Sequence, residues 1–285
     1  MSFCRVACAV VLLFGAIPLF LSGALAQGEP PAVRLANIST RLAVGTGDNV
    51  LIAGFIVTGS QPKRIIVRGL GPLLPVSENL ADPTLALRDS SGALVAGSDN
   101  WRDTQQEELK ATTIPPRNDY ESAIVRSLHP GAYTCLLAGK GDTTGVGLVE
   151  VYDLDLTADS KLANISTRGF VDQGDKVLIG GTIMVGSVST TTKILFRAIG
   201  PSVAGVPNPL QDPTLELHDS QGSMIASNNN WEDSQADEIR ATTIPPSDPL
   251  EAAILHELQP GGYTAIVRGK DNTTGVAVIE AYQLN

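Results

Sequence analysis

The stretch NWRDTQQEELKATTIPP at residues 100–116 returns at residues 230–246 as NWEDSQADEIRATTIPP. Trp101 falls on Trp231, Asp103 on Asp233, and ATTIPP on itself, 130 positions apart. LANISTR at residues 35–41 returns unchanged at 162–168, an offset of 127, and GDNVLIAG from Gly47 matches GDKVLIGG from Gly174 at the same offset. Self-similarity at a fixed period constrains the architecture before any local signal is read. The period is too long for a solenoid and fits one domain per copy. Copy two carries three extra residues, two near 189–192 and one near Pro207, all between strand-like runs, where a shared fold tolerates insertion.

Residues 1–26 read as a secretory signal peptide: Arg5 supplies the positive start, residues 10–21 the apolar stretch, and Ala24-Leu25-Ala26 a small-x-small cleavage site. Residues 27–33 form a lead-in, 34–155 the first repeat, 156–160 a linker, and 161–285 the second repeat. After cleavage only Cys135 of the cysteines remains, and its counterpart is Ala265, so it reads as a small buried apolar residue. The chain has a formal net charge of −10, becoming −11 once Arg5 is gone, and lacks basic clusters. Nucleic acid and anionic membrane surfaces are poor partners for such a chain. No membrane span is expected after the signal peptide.

Within a copy the apolar runs are short, rich in Val, Ile and Thr, and bounded by Gly, Pro, Asn or Asp, as strands are. Residues 50–57 and 177–185 are nearly continuous apolar runs and read as central strands covered on both faces. Residues 84–88 and 214–218 alternate, and Ser90-Ser91-Gly92 and Ser220-Gln221-Gly222 read as hairpin turns. One short helix per copy is expected inside the repeated tryptophan stretch, capped by Asp103 or Asp233 and stopped by Pro115-Pro116 or Pro245-Pro246. The expected fold is all-β: two tandem β-sandwich or jelly-roll-like domains, each with one short helix.

Two candidate sites lie in the tryptophan stretch. Trp101 with Asn100, and Trp231 with Asn230, have the makeup of a sugar-stacking platform; the competing reading packs each ring under the helix with its N–H on a carbonyl. Asp99, Asp103 and Asp233 are candidate calcium ligands, hard oxygens at close spacing though in no EF-hand pattern. Arg68 and Arg197 each end an apolar strand and are expected to pair with Glu150 and Glu280 of the final strand. No histidine recurs between the copies, and neither GxSxG nor HExxH occurs. Asp103 with Glu107 is the local carboxylate pair, a poor arrangement for glycoside hydrolysis, so the protein is not expected to be an enzyme. Asn37, Asn164 and Asn272 begin glycosylation sequons.

ANISTR, GDNVLIAGFIVTG, DPTLALRD, the NWRDTQ–IPP stretch, HPGAYT and GDTTGVGLVEVYDLD together resemble a β-sandwich repeat of exported bacterial proteins, often found as a C-terminal module. The order of a G-D-x-V-L-I strand, N-W and P-G-x-Y-T is similar to the bacterial pre-peptidase C-terminal domain. That resemblance implies a non-catalytic accessory sandwich and carries no site residues. The function expected is thus a non-catalytic exported binding or structural module at the cell envelope or outside the cell, with extracellular polysaccharide or an envelope protein as partner. The alternatives are a carbohydrate-binding pair using Trp101 and Trp231, and a calcium-dependent adhesion module.

Overall fold

The computed structural model describes residues 32–284, so the expected signal peptide and most of the lead-in lie outside the described residues. The chain is all-β. Copy one supplies β1 (Arg34–Val44), β2 (Leu51–Thr58), β3 (Lys63–Leu70), β4 (Pro83–Asp89), β5 (Leu94–Ser98), helix α1 (Gln106–Ala111), β6 (Ser122–Leu128), β7 (Gly131–Gly139) and β8 (Gly145–Asp153). Copy two repeats the series as β9 (Lys161–Val171), β10 (Leu178–Val185), β11 (Thr192–Ile199), β12 (Pro213–His218), β13 (Met224–Asn228), α2 (Ala236–Ala241), β14 (Ala252–Leu258), β15 (Gly261–Gly269) and β16 (Gly275–Leu284).

Copy one pairs its strands in nested fashion: β1 with β8, β2 with β7, β3 with β6 and β4 with β5, all antiparallel. Copy two does the same. Wound up, this nesting gives the two four-stranded sheets of a jelly roll, β6-β3-β8-β1 and β2-β7-β4-β5, facing each other. Alternation along β4 (buried Leu85 and Leu87) and β1 (buried Leu35, Leu42 and Val44) turns one face of each sheet inward.

The two jelly rolls do not stop at their own edges. β1 gives one edge to β8 and the other to β10 of the second copy. In return, β9 gives one edge to β16 and the other to β2 of the first copy. The layers therefore run β6-β3-β8-β1-β10-β15-β12-β13 and β14-β11-β16-β9-β2-β7-β4-β5, each half from one copy and half from the other. Both seams have the same register, Arg41 opposite Ile179 and Arg168 opposite Ile52, with equivalent bulges that skip Ala36 and Ala163. The copies are thus related by a two-fold that exchanges the layers. Its axis passes through the contacts in which a residue meets its own counterpart: Leu35 opposite Leu162, and Thr40 Oγ1 at 2.8 Å from Thr167 Oγ1. One apolar core runs through the seam without interruption.

Glycine is required where the seam strands end. Gly59 has φ +104°, and a Cβ there would lie 2.6 Å from Ser160 Cα. Gly186 meets Val33 in the same way, its Cβ 2.9 Å from Val33 Cα. Linker residues 156–160 are tied down by side chains: Arg34 donates to the Leu156 carbonyl at 2.6 Å, and Ser60 Oγ to Asp159 Oδ2 at 2.8 Å.

Two local expectations need correction. β2 and β10 are not covered on both faces: they alternate, and Ile56 and Ile183 are 37% and 39% exposed on the outer face. Their apolar runs look continuous because the outer face, which no helix among the described residues covers, also carries isoleucine. The strands buried on both faces are β3 and β11, with the first halves of β6 and β14, whose outer sides lie under the tryptophan stretch and helix. Asp103 and Asp233 do not cap the helices either. Each helix starts three residues later, behind Gln105 or Gln235 and with no side-chain cap, while the aspartate closes the turn by accepting from Asn100 or Asn230.

Among the described residues, no helix is long and apolar enough to cross a membrane. Asn37 and Asn164 are buried in the seam strands, and Asn272 is exposed in a turn.

Candidate functional site

The repeated tryptophan stretch lies over the outer face of β3 and β6, or β11 and β14. Trp101 is 3% exposed and packs against Ile66, Leu109, Ala123 and Val125; Trp231 is 6% exposed and packs against Leu195, Ile239 and Ala253. Each indole N–H donates to a backbone carbonyl, Asn118 at 3.1 Å and Asp248 at 3.2 Å. A guanidinium covers each ring, Arg102 at 4.3 Å from the Trp101 centroid and Arg240 at 5.0 Å from that of Trp231. This corrects the stacking-platform expectation. A sugar needs an open ring face, and both faces here are occupied, so Asn100 and Asn230 flank a packed ring and serve the adjacent turn.

Each stretch is clamped from beneath by an ion pair. Arg68 Nε donates to Glu150 Oε2 at 2.9 Å, with a second contact from Nη2, and Nη1 donates to the Ile114 carbonyl at 2.9 Å. Arg197 repeats this with Glu280 at 2.9 Å and the Ile244 carbonyl at 2.6 Å. Arginine and glutamate face each other across paired strands, β3 with β8 and β11 with β16. Tyr152 and Tyr282 lie under the guanidinium, 5.1 Å from centroid to carbon, and donate to the same glutamates. Burial and then the carboxylate push both phenols above their ordinary range. ATTIPP recurs unchanged where the arginine holds a carbonyl at the start of the double proline.

Two further repeated residues, unmarked by any motif, complete the arrangement. β6 and β14 are edge strands. The Gln105 carboxamide pairs with both backbone groups of Val125, at 2.9 and 3.1 Å, and Gln235 does the same with Leu255 at 2.8 and 3.2 Å. A side chain thus takes the place of a neighbouring strand and blunts an edge open to aggregation. Buried Glu251 accepts from the amides of Gly200, Ser202 and Asp248, and Glu121 accepts from those of Arg117 and Asn118. Their recurrence 20 residues after each tryptophan was the available sequence signal.

The acidic candidates separate in space. Asp99 Oδ2 lies 2.6 Å from Lys140 Nζ, with Asp82 at 3.8 Å from the same ammonium, which raises the pKa of Lys140. Asp103 and Asp233 instead turn toward the Asn100 and Asn230 amides. Asp82 Oδ1, Asp99 Oδ1 and Asn100 Oδ1 are buried atoms with no donor among the described residues. Copy two solves the same problem with an amide: with its amide turned to satisfy both neighbours, Asn229, at the place of Asp99, donates to Asp212 Oδ1 at 3.1 Å and accepts from Lys270 at 3.1 Å. Among the described residues, no group of three or more His, Cys, Asp or Glu is placed to hold a metal ion.

No protein-family model matches the chain, and no curated protein matches it. Among solved structures, a chain described as the STIV MCP is similar at 11% identity and TM-score 0.24, over 88% of this chain and 95% of that one. An atomic structure of Sulfolobus Turreted Icosahedral Virus is similar at 10% identity and TM-score 0.24, over 88% of this chain and 90% of that one. A fucolectin from striped bass (Morone saxatilis) serum is similar at 10% identity and TM-score 0.18, over 88% of this chain and 84% of that one. Likenesses at such TM-scores carry no argument about function.

Proposed function

We propose that this chain is a non-catalytic exported protein whose two fused jelly rolls act as a binding or structural module at the cell envelope or outside the cell. The observation that supports the reading is how the repeated polar and aromatic side chains are spent. Trp101, Arg68, Glu150, Gln105, Glu121 and their copy-two counterparts all hold the tryptophan stretch and the edge strand in place. Duplication has kept a scaffold. The partner class is an extracellular polysaccharide or an envelope protein, met by the broad outer faces of the sandwich. Cosedimentation of the purified protein with isolated cell envelopes and with insoluble polysaccharides, alongside a reducing-end assay, tests it. Retention without sugar release is expected; release of reducing ends, or no retention on any envelope or polysaccharide fraction, would overturn it.

A second reading, calcium-dependent adhesion, rests on the three donor-less oxygens of Asp82, Asp99 and Asn100. A ligand that binds only the folded state raises its unfolding midpoint by mass action. On this reading calcium raises the midpoint of the wild-type chain over EDTA, and Asp99→Asn, which copies Asn229, removes the rise. Equal midpoints in calcium and EDTA would end it.

A further inference from the structure

The seam is two-fold in its strands but not in its loops. On one side Lys176, in the turn before β10, pairs with Glu78, in the loop before β4, at 2.7 Å and ties the copies together. The counterparts of these two residues across the axis are Asn49 and Asn208, neutral amides with no charge to pair. Phe170 stands there in place of Ala43, and the loop carries the extra residue near Pro207. On this side two adjoining cavities open between the copies. The larger, about 370 Å³, is walled by Val44, Phe170, Pro207 and Val276, with Asn49 and Asn208 at its polar margin. The smaller, about 210 Å³, shares Phe170, Pro207 and Val276 and adds Asp48 and Arg168. Among the described residues Asp48 and Arg168 line one cavity with opposite charges, yet they form no ion pair with each other and no side-chain hydrogen bond elsewhere.

We propose that this two-chamber cleft binds a small zwitterion with an apolar body, the chemistry of an apolar α-amino acid. A carboxylate meets the Arg168 guanidinium, which is built to receive it. The ammonium faces Asp48, and the apolar body enters the larger chamber against Phe170, Pro207 and Val276. Size agrees: a dry cavity of about 150 Å³ takes benzene, so the larger chamber takes an aromatic side chain with room for water. Apolar walls with a few convergent polar groups are the usual makeup of small-molecule sites. The cleft is independent of the scaffold role proposed above, since it lies at the seam and uses none of the repeated clamp residues.

The test is calorimetric titration of the purified protein with L-phenylalanine, and with phenylacetate and phenethylamine, which carry one charge each. Saturable binding of L-phenylalanine at about millimolar Kd is expected, with each single-charge probe about tenfold weaker. Arg168→Gln and Asp48→Asn each weaken L-phenylalanine by about tenfold. The paired change Asn49→Lys with Asn208→Glu imports the ion pair of the opposite side, closes the cleft, and abolishes binding while leaving the thermal midpoint unchanged or raised. Absence of saturable binding, equal affinity for the single-charge probes, or full affinity in the paired variant would overturn the proposal.

Discussion

Thr40 Oγ1 lies 2.8 Å from Thr167 Oγ1 in the buried seam, and the two residues hold the same place in their respective copies. A hydrogen bond between counterparts marks a two-fold axis as directly as a crystal operator would. It also shows that the copies meet as the halves of an isologous dimer do.

That bond makes a prediction through its asymmetry on mutation. Thr40→Val leaves the Thr167 hydroxyl buried without a partner and is expected to cost about 1–3 kcal/mol, as is Thr167→Val. The double variant removes both polar groups and should return toward wild type, a non-additivity typical of residues in contact. Denaturant unfolding midpoints of the four proteins decide it; strictly additive losses would contradict it.

The ends of the seam offer a second case. Lys63 and Asp153 form a fully buried ion pair at 2.8 Å, and Lys63 also donates to the Asp155 carbonyl where the linker begins. Burial raises the Asp153 pKa, against the pull of Lys63. Copy two places Thr192 and Gln283 there, joined by a neutral hydrogen bond at 3.2 Å, with Gln283 donating to the Val33 carbonyl. Lys63→Thr alone strands a buried carboxylate and should cost about 3–5 kcal/mol. Adding Asp153→Gln transplants the copy-two solution and should restore most of that loss, as replaced buried ion pairs commonly do. A double variant no more stable than the single one would refute this.

Alkaline pH should weaken the fold through Tyr152 and Tyr282. Their pKa values are raised above the ordinary 10.0 by burial and by Glu150 or Glu280. The folded chain therefore keeps these protons after the unfolded chain begins to lose them. The contribution is full below pH 10.0 and is lost as pH rises through the folded values. Unfolding free energy measured across that range should fall, and Tyr152→Phe with Tyr282→Phe should flatten the fall. An unchanged slope in the double variant would count against it.

Cys135 is fully buried in β7, and desolvation pushes its thiol pKa up to about 12. In a chain starting at Gln27, which lacks Cys4 and Cys8, a thiol-specific reagent at neutral pH should not label the folded protein and should label one equivalent on unfolding, since the thiolate is the reacting species. Rapid labelling of the native chain would show the strand opening locally.

Much of the site could be read by comparing the chain with itself. Arg68 and Glu150 stood out because Arg197 and Glu280 repeat them, and the geometry bears that pairing out. Gln105 and Glu121 repeat as faithfully but are unmarked in the sequence, because a glutamine that mimics a strand and a buried carboxylate held by backbone amides leave no local motif. Composition alone points to Asp103 as the helix cap. The chain instead used that aspartate for a turn and sent Gln105 to a strand 20 residues away, a contact that exists only once β6 lies beside it.

Two copies of one all-β unit are legible in the residues alone, because repetition, alternation and turn chemistry are local and additive along the chain. That the copies share their sheets is settled by how they pack. A strand edge presents the same N–H and C=O groups whichever strand comes to meet it, so nothing in β1 or β2 names its second partner. That choice falls to the arrangement that buries Leu35, Thr40 and their counterparts along a common axis, and it is made in three dimensions.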